Sequence, residues 1–360
     1  MAKRQEAAKT KGGRVKSQGP TGAEVAALAK VSRATVSRVF TAGSSVDPVT
    51  RDRVLEAARS LGYRLQQTRR ARLSAAGDGS SRTIGIVIAG FDNPFYHTTL
   101  TEFLEHYQRR GLPVICHAAA DLESAEEGVR AMLRHQVDAM IIAATAVTSQ
   151  AVEECLAAGV PAVMFNRTLA SPRLPSVQTD NVGCGQTMAD FLALGGHRRI
   201  AYINGLELAS TNQGRLKGFS ERLCDLGLGP PIQEYGEYTY DGGREAVKRL
   251  MTCASPPDAI FCANDIMAFG ALDGLRADLG LRVPEDVSIT GCDDVPMAAW
   301  PAFSLTTIRQ RRRKMVDATI ELLDAALADG PVEPPPNLLV EGRLILRGSA
   351  RLPKPGAQPP

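Results

Sequence analysis

The chain has 360 residues, 44% of them hydrophobic and 22% charged, with a formal net charge of +3. That length exceeds one ordinary domain, and the composition is that of a soluble globular protein able to bury its core without disulfides or metals. The small net charge conceals a partition. Residues 1–82 hold 17 Lys/Arg against 6 Asp/Glu, a net of +11, and residues 83–360 hold 25 against 33, a net of −8. A basic head on an acidic body implies a polyanionic partner for the head alone. The seven cysteines (Cys116, Cys155, Cys184, Cys224, Cys253, Cys262 and Cys292) form no C-x-x-C pair and no short-spaced cluster with histidine. No metal site is expected, and the cysteines read as buried small hydrophobes of a reducing compartment. The N-terminus lacks an apolar signal-like run, and no uncharged apolar stretch approaches the roughly 18 residues of a membrane span. A cytoplasmic protein with no membrane partner is expected.

Residues 1–20 lack periodicity and read as a disordered basic leader. Helical patterns occupy 21–63, and TGAEVAALAKVSRATVSRVF carries the strongest signal. Thr21 and Glu24 are spaced as a capping box, Val25, Ala26 and Ala29 form an inner face, Lys30-Val31 turns the chain, and Ser32 caps a second helix. On that helix Val36, Val39 and Phe40 point inward, whereas Arg33, Ala34, Ser37 and Arg38 share the outer stripe. A recognition helix needs such a stripe: Arg can reach guanine O6/N7, and an Ala methyl can meet thymine. Thr35, Ser37, Thr41 and Ser45 suit phosphate contacts, which set register without reading sequence. Residues 64–82 start basic, end in small polar residues and read as a linker.

From Thr83 strands and helices alternate in the βαβα rhythm of a parallel doubly wound sheet: 83–89, 114–117, 139–143, 162–165, 200–203, 259–262 and 287–290 read as strands. Two successive α/β units imply two lobes with a cleft, and ligands of such sheets sit beyond the carboxyl ends of the strands. The loops to watch are Gly90–Tyr96, Asn166-Arg167, Gly205–Arg215, Asn264-Asp265 and Cys292–Asp294. A helix at 310–327, a Pro-rich break and one strand at 338–346 follow, and 348–360 reads as a disordered tail.

The run VSRATVSRVF, then Val46-Asp47-Pro48-Val49-Thr50-Arg51-Asp52-Arg53-Val54 and Leu61-Gly62-Tyr63, resembles the lactose-repressor (LacI/GalR) family. Similar landmarks continue to about Arg347: Asn93-Pro94-Phe95-Tyr96, Gly195–Ile200, Arg215–Phe219, Ala263–Gly270, Gly291–Asp294 and Leu305–Ile308. The resemblance implies a small all-α helix-turn-helix head (21–63), a hinge (64–82) and an α/β periplasmic-binding-protein-like body (83–347) of two parallel-sheet lobes. It assigns 83–178 plus 304–330 to lobe one and 179–303 plus 337–347 to lobe two. In that family Thr50 caps the third helix. Two positions depart from the pattern. Lys30 stands where glycine is usual, and the hinge's final Leu, a minor-groove wedge, has Arg72 in its place, with Leu73 one residue late. Either Leu73 is the wedge after a local shift or Arg72 enters the groove as a cation, with Arg69 adding charge.

The resemblance places an effector between the lobes. Asp265 and Asp293 can accept hydroxyl hydrogens, Arg215 offers a planar fork to hydroxyls or a carboxylate, and Asn166 can donate and accept. Phe95, Tyr96 and Tyr238 offer flat faces to a sugar ring, whereas Asn264 and Asp294 read as capping or turn residues. A sugar, sugar acid or sugar phosphate fits. There is no G-x-S-x-G, no complete G-x-G-x-x-G and no metal-ligand cluster, and Gly183-Cys184-Gly185 lacks a third glycine and a preceding strand. An enzyme is not expected, nor is a cofactor. A transport-linked sugar-binding protein fits the body but not the head. The expected function is a repressor that binds pseudo-palindromic duplex DNA under effector control. The Pro-rich tail lacks the heptad helix by which some family members tetramerise, so a homodimer is expected.

Overall fold

The computed structural model describes residues 22–39, 46–61, 82–144, 149–169, 173–330 and 332–353. The chain divides into two units, Met1–Gly77 and Asp78–Pro360. The leader, residues 64–81 of the hinge and residues 354–360 lie outside the described residues.

Among the described residues the first unit holds three helices: α1 (Gly22–Leu28), α2 (Arg33–Val39) and α3 (Pro48–Ser60). Val25, Ala26 and Ala29 of the first segment meet Val36 and Val39 of α2 and Val54, Ala57 and Ala58 of α3 in one small core. Four of those eight side chains are valines and four are alanines, and the small alanines let the helices approach closely. Ser32 caps α2, its Oγ accepting the Thr35 N–H at 3.1 Å. The third helix is capped by Asp47, not Thr50: the Asp47 carboxylate accepts the Thr50 N–H at 2.9 Å, directly before Pro48. Proline suits that first helical position because its missing N–H has no intrahelical partner to lose. Those hydrogen bonds to Thr50 hold the Asp47 carboxyl below the usual carboxylate range.

The second unit contains two six-stranded sheets. Lobe one has β1 (Ile84–Ala89), β2 (Val114–Ala119), β3 (Ala139–Ala143), β4 (Ala162–Phe165), β5 (Ser176–Thr179) and β11 (Asn337–Val340), ordered β2-β1-β3-β4-β5-β11. Lobe two repeats that order with β6 (Ile200–Asn204), β7 (Ile232–Tyr235), β8 (Ala259–Cys262), β9 (Ser288–Asp293), β10 (Thr306–Arg309) and β12 (Arg343–Ile345). Among the described residues only the β10–β12 pair is antiparallel. In each lobe the order reverses beside the first strand, where open α/β sheets place their ligands. The helices that concern the site are α4 (Pro94–Arg109) of lobe one, α7 (Asn181–Leu194), α8 (Ser210–Asp225) and α10 (Asp265–Asp273) of lobe two, and α11 (Arg312–Asp329), which packs on β3, β4, β5 and α4.

The lobe boundaries expected from sequence are corrected at the C-terminal end. Strand 306–309 belongs to lobe two, hydrogen-bonded parallel to β9, and 337–340 belongs to lobe one, parallel to β5. The single strand expected at 338–346 is two strands in different sheets. At the crossing between them, a Cβ on Gly342 would lie 2.6 Å from both Cys184 Sγ and the Ile308 side chain, so only glycine passes there. Residues 348–353 are not a disordered tail. Ser349 and Ala350 are buried, and the Ser349 hydroxyl donates to the Ile289 carbonyl while accepting the Thr306 N–H. The cysteine expectation fails at three positions: Cys116, Cys224 and Cys253 are exposed. A strand, β5, does precede Gly183-Cys184-Gly185, but Gly185 serves helix packing. A Cβ there would lie 2.2 Å from the Arg215 carbonyl of α8. Among the described residues no helix is long and apolar enough to cross a membrane.

Lys30 occupies the left-handed region, with φ 52°. A Cβ there costs about 1 kcal/mol, which glycine avoids at the expense of a more flexible unfolded chain. Lys30→Gly is therefore expected to stabilise the head by about 0.5–1 kcal/mol, read from the urea midpoint of the first unfolding transition; no change or a loss would show that the turn is unstrained.

Candidate functional site

Two regions gather the residues singled out from sequence. In the head, Ser32, Arg33, Ala34 and Arg38 are exposed and Thr35 is half-buried. The α2 stripe therefore faces outward, as a recognition helix requires. The Thr35 hydroxyl lies 2.9 Å from Ser32 Oγ, so this pair also closes the cap of α2. Ser37 lies within α2, and Thr21, Thr41, Ser45, Arg69, Arg72 and Leu73 lie outside the described residues.

In the body a cavity of about 670 Å³ opens between the lobes. Its lobe-one wall comes from the ends of β1 and β4: Asn93, Phe95, Tyr96, Asn166 and Arg167. The Asn93-Pro94 sequence starts α4, where Asn93 Oδ1 accepts the Phe95 N–H at 2.9 Å. That leaves the Asn93 amide nitrogen free to donate across the cleft to Asp293 Oδ2 at 2.7 Å. Asp293 ends β9 and also receives Gln310 Nε2 on its other oxygen at 2.6 Å. Backbone strain concentrates at this rim: Asn166, Tyr238, Asp293 and Asp294 have φ of 54°, 62°, 142° and 57°. Non-glycine residues hold such conformations only where surrounding contacts over-determine them.

Of the expected effector residues, Phe95, Tyr96, Asn166, Arg215, Tyr238 and Asp293 line this cavity. Tyr96 OH accepts from Arg167 Nη2 at 3.2 Å, and Tyr238 OH lies 3.1 Å from Thr211 Oγ1. Arg215 is less available than its planar fork suggested. Its Nε donates to Asn181 Oδ1 at 3.0 Å, its Nη1 donates to the Ala263 carbonyl, and its Nη2 lies 3.9 Å from Asp293. Asp265 is a correction, because it is fully buried and does not line the cavity. One oxygen accepts the Val295 N–H at 2.9 Å and the other meets the Thr307 hydroxyl at 2.5 Å, so it ties α10 to β9 and β10. Burial first, and then the charge of Asp293, push its carboxyl up to about 8. Burial also raises Asp293, against the pull of Arg215. Asp294 is structural as expected, held by Arg309 and Arg347 at 2.5 and 2.6 Å.

Sequence reasoning passed over several lining residues. Arg167 is 5% exposed and reaches Thr211 Oγ1 of lobe two at 2.9 Å. Asn264 caps α10 through Oδ1, as expected, but also lines the cavity with an unpartnered Nδ2. Trp300 and Phe303 stack 6.5 Å apart beside Phe269, forming an aromatic wall, and Trp300 is 54% exposed. A solitary exposed tryptophan was the available signal. Among the described residues no cluster of His, Cys, Asp and Glu could hold a metal ion.

Residues 23–66 match the model of bacterial regulatory proteins of the lacI family, and residues 189–350 match a periplasmic binding protein-like domain. The HTH-type transcriptional repressor CytR of Escherichia coli strain K12 is 32% identical over 332 residues, covering 91% of this chain and 95% of CytR. The HTH-type transcriptional regulator CelR of Thermobifida fusca is 32% identical over 340 residues, covering 92% of this chain and 98% of CelR. Among solved structures, a CelR–cellobiose complex superposes with a TM-score of 0.69 at 31% identity, covering 92% of this chain and all of that one. A LacI transcriptional regulator from a Rhodococcus species gives 0.69 at 28% identity over 76% of this chain and 99% of its own. The chain belongs to the lacI family of bacterial regulatory proteins. It is a DNA-binding transcriptional regulator, with a helix-turn-helix head and a two-lobed periplasmic-binding-protein-like body, and the relatives named here are regulators rather than enzymes.

The raised Asp265 carboxyl has a stability consequence. Its proton is held in the folded state up to about pH 8, whereas in the unfolded chain it leaves near 4, so this group's contribution falls as pH rises between those values. Asp265→Asn keeps both hydrogen bonds without the titration. Its urea stability is expected to lose about 1–4 kcal/mol less than the wild type between pH 5 and pH 8. Parallel pH profiles would show that Asp265 is ionised in the fold.

Proposed function

We propose that this chain is a repressor that binds a pseudo-palindromic operator as a homodimer in the cytoplasm, and that a small hydroxylated effector between the lobes sets its operator affinity. One observation carries the effector reading: the cleft has walls from both lobes and holds buried polar atoms without partners, Asn166 Oδ1, Arg167 Nε and Asn264 Nδ2, beside an aromatic face. Buried polar atoms are rarely left unsatisfied, so unspent ones in a cavity point to a ligand. A sugar, sugar acid or sugar phosphate suits them, and the relative solved with cellobiose supports a carbohydrate. The chain acts by binding and not by catalysis, without a cofactor or metal.

In the head, Arg33 and Ala34 read base edges in the major groove, and Arg38 supports them. Ser32, Thr35, Ser37, Thr41, Ser45 and Thr21 contact phosphates, and the hinge enters the minor groove through Arg72 or Leu73, with Arg69 beside it. A ligand that prefers one lobe arrangement shifts the population toward it. In a dimer that shift changes the spacing of two heads, and operator and effector alter each other's affinity by the same factor.

The test begins with operators selected by the full-length chain from random duplexes. Arg33→Ala is expected to relax preference at one base position and cost about 1–3 kcal/mol, whereas equal weakening on every sequence would reduce Arg33 to a phosphate contact. A bound sugar or sugar derivative is expected to change operator affinity by about 5–150-fold. Failure to enrich any sequence would sink the regulator reading, and operator binding indifferent to every bound ligand would sink effector control.

A further inference from the structure

The run Arg309-Gln310-Arg311-Arg312-Arg313-Lys314 carries β10 over to α11 and puts five cations into six residues of a body whose net charge is −8. A second cavity, of about 550 Å³, opens there, and Arg309, Arg311, Arg312, Arg313, Lys314 and Arg347 all line it. It shares one lining residue, Asp293, with the cavity described above, and both oxygens of that carboxylate are already engaged by Asn93 and Gln310. Among the described residues the one other carboxylate in its wall is Asp294, so six cations stand against two carboxylates, a local net of +4. Pairing within the protein uses half of the cations. Asp294 takes Arg309 at 2.5 Å and Arg347 at 2.6 Å, and Glu102 takes Arg312 at 3.0 Å while Arg312 Nε stays buried without a partner. Among the described residues no ion pair and no side-chain hydrogen bond reaches Arg311, Arg313 or Lys314.

Their placement is unfavourable for the protein alone. Arg311 is the N-cap of α11, and Arg312, Arg313 and Lys314 follow it, in an 18-residue helix with no acidic residue in its first turn and no side-chain cap. The first turn carries unpaired N–H groups and the positive end of the helix dipole, which favour anions and repel cations. Four consecutive cations there are the reverse of what stabilises a helix, and they also repel one another. A compact anion relieves both repulsions, since guanidinium forks and ammonium groups alike suit phosphate oxygens. A single carboxylate would leave most of the local charge uncancelled, whereas two phosphate groups bring about three negative charges at neutral pH. The cavity is within the size range of small-molecule sites. We propose that the body holds a polyphosphate site at this crossover, separate from the effector cleft, in which Arg311, Arg313 and Lys314 bind a small molecule carrying at least two phosphate groups. Arg309, Arg312 and Arg347 keep their carboxylate partners and contribute positive potential rather than contacts.

Isothermal titration of the full-length chain tests this with inorganic pyrophosphate, triphosphate, ATP, orthophosphate and citrate, at constant ionic strength and without divalent cations. Pyrophosphate is expected to bind with a Kd below about 1 mM, and orthophosphate and citrate at least about tenfold more weakly. ATP against triphosphate tells a nucleotide source of the phosphates from another. The variant Arg311→Gln/Arg313→Gln/Lys314→Gln is expected to lose at least about tenfold in pyrophosphate affinity. Should the triple change weaken the fold, Arg313→Gln/Lys314→Gln, at two exposed positions, is expected to lose at least about fivefold. The basic head also attracts phosphate, but it is the same in every variant, so the difference from the wild type reports the crossover alone. Equal pyrophosphate affinity in wild type and variants, orthophosphate or citrate binding as tightly as pyrophosphate, or no saturable binding by the wild type would each overturn the proposal. Weaker binding of every DNA duplex by the variants, with no pyrophosphate bound by the wild type, would overturn it in favour of a DNA contact.

Discussion

A buried carboxylate, Asp293, stands at the junction of the two lobes. Asp293 is 6% exposed, takes a hydrogen bond from Asn93 of lobe one and another from Gln310 of the crossover, and lies beside the buried guanidinium of Arg215. Removing one partner from such a buried set leaves the rest uncompensated, so each member depends on the others being in place. The close crossing of α7 and α8 seats Arg215, the cap of α4 frees the Asn93 amide to reach across, and the strained backbone at Asp293 and Asp294 aims the carboxylate into the cleft. The shape of the cavity and the alignment of its walls follow from this junction. Arg167 to Thr211 is another bridge between the lobes.

Much of this was legible in the chain before any coordinates. The charge partition separated head from body, and the inner positions Val25, Ala26, Ala29, Val36 and Val39 are the head's core. The apolar runs at β1, β3, β4, β6 and β8 are central strands buried on both faces, and they read as continuous hydrophobic segments for that reason. The strands missed were SVQT, IQEY and TTIR, whose polar and threonine-rich sequences carry no apolar run. Thr306 and Thr307 are nonetheless fully buried, because Ser349 and the Asp265 carboxylate satisfy the Thr306 N–H and the Thr307 hydroxyl. Long-range partners of that kind cannot be read from local pattern. The exchange of β10 and β11 between the lobes was lost for the same reason.

The site was legible as a set of loops but not as a set of roles. Asp265 and Asp293 look equivalent in sequence, each at the end of a strand, yet one is tied into the interior and the other faces the cavity. Arg215 and Arg167 each give two hydrogen bonds within the protein, but Arg167 alone leaves its Nε without a partner. Residue type said which chemistry was available. Only the count of satisfied donors and acceptors said which of it remained for a ligand.

The proposed repressor function requires that bonds across the cleft set how tightly the head engages DNA. Asn93→Ser tests it most directly, because serine keeps the cap of α4 but is too short to bridge to Asp293. Titration of a selected operator should give an affinity at least about fivefold different from the wild type at the same salt, with a changed response to bound effector. An operator affinity and an effector response equal to those of the wild type would contradict it.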